Sequence, residues 1–309
     1  MNTSMSAVRR LICVSVLGWT CSALAQTTPP PAVNTDPNAA ARIVLPEPAN
    51  PQLPSVFFIG DSTVRNGRDD GQNKGAEGQW GWGNPIKAYF QTDKINVVNR
   101  AIGGLSSRTY LTGGHWQRSL ALMKPGDFVI MQFGHNDNGP LNDTSRARGT
   151  IKGIGEEAEE IDNLLTKLPE TVHSYGWYLR KFIAEARAKG VQAIVCSPIP
   201  RKNWDANGKI NRSKASYGGW AEQVAKQEKA DFIDLNENIA AAYDIMGKDE
   251  VMKLFPVVIP DEHTHTNLAG AEFNARAVVA GIKTLQYAQL KNYLNDKSVD
   301  IKPTAVSQK

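Results

Sequence analysis

The chain has 309 residues, 41% of them hydrophobic and 21% charged, with three cysteines and a formal net charge of +4. Those proportions exclude a disordered, fibrous or disulfide-stapled chain and leave one large α/β domain or two modest ones. So small a positive excess, with no cluster of five or more Lys and Arg, also gives no nucleic-acid footprint.

Arg9 and Arg10 precede an apolar run from Leu11 to Leu24, and Ala23-Leu24-Ala25 has the small-x-small form of a cleavage site. Residues 1–25 therefore read as a secretory signal. The run falls short of the roughly 20 residues a spanning helix needs and contains Ser, Thr and Cys, which argues against a membrane anchor. Lipid attachment through Cys21 is disfavoured because Gly18-Trp19-Thr20 lacks an aliphatic residue. The expectation is an exported protein, periplasmic or extracellular, with no stable membrane association once the signal is removed. Removal takes Arg9, Arg10, Cys13 and Cys21 and no acidic residue, so the net charge drops to +2 and Cys196 is the last thiol. With one cysteine no internal disulfide forms, and stability has to come from burial.

Residues 26–54 carry eight of the 17 prolines and read as a linker or wrapping arm. From Ser55 on, short apolar runs alternate with amphipathic stretches. Val56–Ile59, Ile95–Val98, Asp127–Phe133, Val191–Cys196 and Asp231–Leu235 are nearly continuous in apolar residues, as buried parallel strands are. Helical patterns are predicted over 84–91, 115–123, 172–189, 217–229, 237–247 and 269–287, with Gly190 a stop signal. Gly139–Glu170 breaks the rhythm with four glycines and an acidic run, and reads as an inserted loop over one sheet edge. Strand–helix alternation predicts an α/β fold with one open parallel sheet and helices on both faces.

Four motifs fall at the carboxyl ends of the strands or before the last helix, where open parallel sheets place their ligands. Gly60-Asp61-Ser62-Thr63 follows the first strand; Ser62 there is either a nucleophile or a helix cap. Asn99–Arg108 follows the second, and its paired glycines suit an oxyanion donor or a plain tight turn. Phe133-Gly134-His135-Asn136-Asp137 follows the third, where Asn136 is an oxyanion donor or a turn residue. Asp261-Glu262-His263-Thr264-His265 stands before the last helix and offers a base with a carboxylate upstream, or two histidines of a metal site. No third histidine has a recognisable ligand spacing, so metal is the weaker reading.

On Gly60–Val64, Ala101–Arg108, Phe133–Asp137 and His263–Ala271 the chain resembles the SGNH hydrolases, or GDSL esterases, and among them the rhamnogalacturonan acetylesterases. The resemblance runs from about Ser55 to Leu290, leaving 291–309 as a tail. It implies a three-layer, flavodoxin-like α/β/α sandwich with a five-stranded parallel sheet. It also implies Ser62 as nucleophile, His265 as base, and the Ser62 N–H, the Gly104 N–H and the Asn136 side chain as oxyanion donors, with Asp61 holding the Ser62 turn. The family's acid stands three residues before the base, and Glu262 occupies that place here. Its extra methylene favours it, while Asp261 remains open if the turn is one residue longer. A second departure is Leu105, where such acetylesterases often carry Arg.

The implied reaction is ester hydrolysis through an acyl-enzyme, without metal or organic cofactor. The implied substrate is an acetylated plant cell-wall polysaccharide, rhamnogalacturonan or pectin. Trp80, Trp82 and Trp204 are candidate sugar platforms as well as candidate packing residues. Arg65, Arg68, Arg108 and Arg201 are candidates to face an acidic backbone as well as solvated surface cations. The alternatives are a broad-specificity lipase or arylesterase, and a catalytically silent carbohydrate-binding protein on the same fold.

Overall fold

A computed structural model describes residues 44–65, 75–259 and 261–303. β1 (Ser55–Gly60) lies between β2 (Asn96–Asn99) and β3 (Phe128–Gln132), and β6 (Gln192–Cys196) and β7 (Asp231–Ile233) extend the sheet in the order β2-β1-β3-β6-β7. Every pairing in it is parallel. The five predicted strands are thus all present, each within two residues of its expected bounds.

Alternation along the strands divides the core in two. Val56, Phe58, Ile130, Ile194 and Cys196 face one side, where α5 (Leu235–Met246) and α7 (Leu268–Ile282) cover them. Phe57, Ile59, Val129, Met131 and Val195 face the other, beneath α1 (Ser107–Thr112), α2 (His115–Leu122), α3 (Tyr175–Ala188) and α4 (Tyr217–Gln227). A short α6 (Lys248–Met252) follows α5. Strands apolar on both faces make sense only in such a three-layer packing.

The strand order reverses between β1 and β3, because the chain leaves β1 for β2 on one side and returns to β3 on the other. In doubly wound sheets that reversal opens a crevice at the carboxyl ends. Ser62 follows β1 and Asn136 follows β3, so both flank it.

The helix expected over 84–91 is a short 3-10 turn, Pro85–Tyr89, the one expected over 269–287 ends at Ile282, and three further stretches differ from the sequence reading. The helix expected from residue 172 starts at Tyr175, because Ser174 takes the Trp177 N–H and caps it. The stretch read as an inserted loop contains an antiparallel ribbon, β4 (Ala158–Asp162) with β5 (Pro169–His173). Its first strand is largely exposed and acidic and its second buries only Glu170 and Val172, which hid their extended character. Part of the expected tail packs, with Ile301 buried in the core and Tyr293 and Leu294 packed against it. At the other end, the arm is strapped to the sheet edge by Arg100 donating to the Pro46 carbonyl at 2.7 Å and by Asn96 donating to the Asn50 carbonyl at 2.8 Å. Cys196 is fully buried and unpaired, and burial pushes its thiol up, which suits a packing role. The expected signal and most of the arm lie outside the described residues. Among those described, no helix is long and apolar enough to cross a membrane.

Candidate active site

The turn leaving β1 is built to present Ser62. A side chain at Gly60 would put its Cβ 2.5 Å from the Gln132 carbonyl oxygen, so only glycine lets β1 and β3 pack this closely where the turn begins. Asp61 is buried, and its Oδ1 accepts from the Thr63 N–H and Thr63 Oγ1, both at 2.8 Å. Thr63 Oγ1 in turn accepts from Gln132 Nε2 at 2.5 Å, and Gln132 Oε1 accepts from the Trp82 indole N–H at 2.9 Å. This buried chain braces the turn from below and leaves Ser62 half-exposed above it.

The loop before α7 supplies the partner. Asn267 caps α7 by accepting the Gly270 N–H, and Thr266 pairs with Trp80 through main-chain and side-chain hydrogen bonds of 2.8 and 3.1 Å. So fixed, His265 places Nε2 2.7 Å from Ser62 Oγ and Nδ1 2.8 Å from Glu262 Oε2. Glu262 Oε1 accepts the N–H groups of Thr264 and His265 at 2.7 and 2.8 Å, and Gln79 Nε2 donates to Oε2 at 2.6 Å. Burial alone raises the Glu262 carboxyl, but the hydrogen bonds from the His265 ring and from the two main-chain N–H groups outweigh it and bring it down to about 2. Glu262 therefore carries full negative charge beside the ring throughout the neutral range. Asp261 is exposed, with φ +56°, and its main-chain oxygen accepts from His263 at 3.1 Å. Geometry thus gives the ring contact to Glu262 and not to Asp261.

Two further loops close the site. Gly104 has φ +84°, a conformation that a side chain disfavours. Asn136 Nδ2 donates to the Leu105 carbonyl at 2.8 Å, tying the β3 loop to the Gly104 loop. Asp137 reinforces the tie by accepting from the Ser107 N–H at 3.1 Å and from Ser107 Oγ at 2.5 Å. Ser62, Gly103, Gly104, Asn136 and His265 line one cleft of about 430 Å³. Arg65, Arg146, Arg148 and Arg201 line it too, and none of the described residues that line it is acidic. His135 also borders it; burial, with Asp61 opposing, holds its imidazole down to about 4, so it stands neutral near pH 7.

The predicted site residues thus divide sharply. Ser62, His265, Glu262, Gly104 and Asn136 come together, and Arg201 and Arg65 share their cleft. Trp82 and Arg108 do not face it, and both assignments are corrected. Trp82 is fully buried against Phe58 and serves the brace under Ser62. Arg108 is fully buried in a two-pronged ion pair with Glu170, at 2.7 Å through each prong. Trp80 and Trp204 are half-buried and lie outside the cleft lining: Trp80 pins the Gln79 loop to Thr266, and Trp204 packs on the core beneath Lys248. Arg68 lies outside the described residues. Gln79, Arg146 and Arg148 were not singled out from sequence; the only available signal was the Gln next to the Trp80 segment. Among the described residues, no three His, Cys, Asp or Glu side chains converge as a metal site requires.

Residues 58–273 match the GDSL-like Lipase/Acylhydrolase family. The chain is 28% identical to a rhamnogalacturonan acetylesterase of Emericella nidulans, over 74% of this chain and 84% of that protein. It is 30% identical to the probable rhamnogalacturonan acetylesterase YesY of Bacillus subtilis, over 74% of this chain and 93% of that one. Among solved structures, the Bacillus subtilis protein YxiM superposes with a TM-score of 0.59 at 26% identity, covering 75% of this chain. This chain spans only 56% of the length of that structure.

Proposed function

This chain belongs to the GDSL-like lipase/acylhydrolase family, and from that premise we propose that it is a serine esterase that removes acetyl groups from a plant cell-wall polysaccharide, rhamnogalacturonan or a related pectin. One observation carries the reading: Ser62, His265 and Glu262 form an unbroken hydrogen-bonded chain that opens into a cleft lined by Gly104 and Asn136.

In the proposed reaction His265 Nε2 takes the Ser62 proton as Oγ attacks the acetyl carbonyl carbon. Negative charge then collects on the carbonyl oxygen, towards which the N–H groups of Ser62 and Gly104 and the Asn136 amide donate. Each such donor is worth about 3 kcal/mol of barrier in comparable sites. Glu262 holds the ring with Nδ1 protonated and stabilises the imidazolium formed on proton transfer. His265 returns the proton to the sugar hydroxyl as it leaves, and a water activated by the same ring releases acetate and restores Ser62.

The substrate assignment draws on the two similar acetylesterases and on the four arginines among the described residues of the cleft lining, which suit a polyanionic glycan better than an apolar acyl chain. The leader-like pattern at Arg9–Ala25 supports export to the compartment where such a polymer is met. The test is acetate release from acetylated rhamnogalacturonan, acetylated xylan and an aryl acetate, measured side by side. The proposal expects the highest kcat/KM on the pectic substrate; preference for xylan or for longer acyl chains overturns that part.

A further inference from the structure

The loop after β3 carries a device that the reaction itself does not require. Its ends are drawn together where the Gly149 N–H donates to the Pro140 carbonyl at 2.8 Å and the Thr150 N–H donates to the Asp137 carbonyl at 3.0 Å. Beneath it, the buried Arg108 guanidinium donates to the Leu141 and Gly149 carbonyls at 2.6 and 2.9 Å. Within it, Asp143 Oδ1 gathers the N–H groups of Ser145, Arg146 and Ala147 at 2.8, 2.6 and 2.9 Å. These hydrogen bonds, that of Arg146 first, hold the Asp143 carboxylate well below its ordinary range. Ala147 completes the turn at φ +39°, a left-handed conformation kept by the surrounding contacts.

The product of this turn is the position of two cations. The Nη1 atoms of Arg146 and Arg148 each lie 3.9 Å from where a Cβ on Gly104 would stand, beside one of the expected oxyanion donors. Arg148 is committed, because its Nη1 donates to the Gly104 carbonyl at 2.9 Å and so orients that peptide. Arg146 is exposed and has neither a hydrogen bond from its guanidinium nor an ion pair among the described residues. Lys and Arg outnumber Asp and Glu by only 35 to 31 in the whole chain. Four guanidiniums line one cleft all the same, with no carboxylate among its described lining residues.

Resting on the reading of the chain as a glycan acetylesterase, we propose that Arg146 is a specificity-determining residue that reads a uronic acid carboxylate of the acetylated glycan, presented by the Asp143-anchored turn. Arg presents a planar pair of donors that matches a carboxylate, so the contact depends on shape as well as charge.

The test compares kcat/KM for acetate release from acetylated rhamnogalacturonan oligosaccharides with kcat/KM for the same oligosaccharides after methyl esterification of their carboxyl groups. Wild type and Arg146→Lys, Arg146→Ala and Arg146→Glu are measured, with melting temperatures. The wild type is expected to prefer the free carboxylate through a lower KM. That preference is expected to shrink by about tenfold in Arg146→Ala, to shrink less in Arg146→Lys and to vanish or invert in Arg146→Glu. A wild-type preference that persists unchanged in Arg146→Ala and Arg146→Glu, or a wild type indifferent to esterification, overturns the inference and leaves the acetylesterase reading intact. No acetate from either glycan, with an aryl acetate still hydrolysed, overturns the glycan reading itself and this inference with it.

Discussion

Glu262 grips His265 twice: Oε2 meets the ring at Nδ1 at 2.8 Å, while Oε1 accepts the main-chain N–H of the same residue at 2.8 Å. One carboxylate thereby sets both the tautomer of the ring and the backbone from which it projects. Glutamate does this from three residues upstream with its carboxylate folded back over its own loop.

Replacement of Glu262 by Gln is expected to lower kcat by roughly 10³- to 10⁴-fold, the scale seen when a triad acid becomes an amide. Asp261→Asn is expected to stay within about twofold of wild type, since the exposed Asp261 side chain makes no contact with the ring. Steady-state kinetics on an aryl acetate decides it. Equal losses in the two variants, or a greater loss in Asp261→Asn, would reassign the acid.

For Arg108 the expected effect is on stability. Its guanidinium is fully buried and Glu170 nearly so, and Arg108→Met leaves the Glu170 carboxylate without its countercharge. A loss of about 3–5 kcal/mol is expected, read by denaturant titration. A variant as stable as wild type but impaired in glycan binding would return Arg108 to the substrate.

Stability against pH should report Asp137. Burial raises its carboxyl to about 7, despite the hydrogen bonds from Ser107 that oppose the rise. Unfolded, the group titrates near its ordinary 3.8, so between those values the folded protein holds a proton that the unfolded chain has lost. Its contribution is full below the unfolded value and is lost as pH rises through about 7. Asp137→Asn keeps an oxygen for Ser107 and removes the titration. The melting temperature of the variant is expected to fall less than that of wild type between about pH 4 and pH 8; parallel curves would contradict this.

The sheet was readable because strands buried on both faces, such as Val56–Ile59 and Val191–Cys196, are written as apolar runs with few other interpretations. Ser62, Asn136 and His265 were readable because each sits in a short motif at a strand end or before a helix. Choosing Glu262 over Asp261 needed the turn itself, whose positive φ at Asp261 sends that side chain into solvent. Trp82 and Arg108 misled because an aromatic or a cation near a motif looks alike in sequence whether it faces ligand or core. What separates them is a partner far along the chain, Gln132 for Trp82 and Glu170 for Arg108. Gln79, whose target Glu262 lies 183 residues away, and Arg146, set by the Asp143 turn, were illegible for the same reason.

The central claim is that Ser62 is an activated nucleophile, and covalent capture tests it most directly. After incubation with a fluorophosphonate, peptide mass mapping of the whole chain is expected to find one adduct, on Ser62. It should be absent from Ser62→Ala and formed far more slowly in His265→Ala. No adduct on the folded protein, or labelling at another serine such as Ser106 or Ser107 with Ser62 unmodified, would contradict the account.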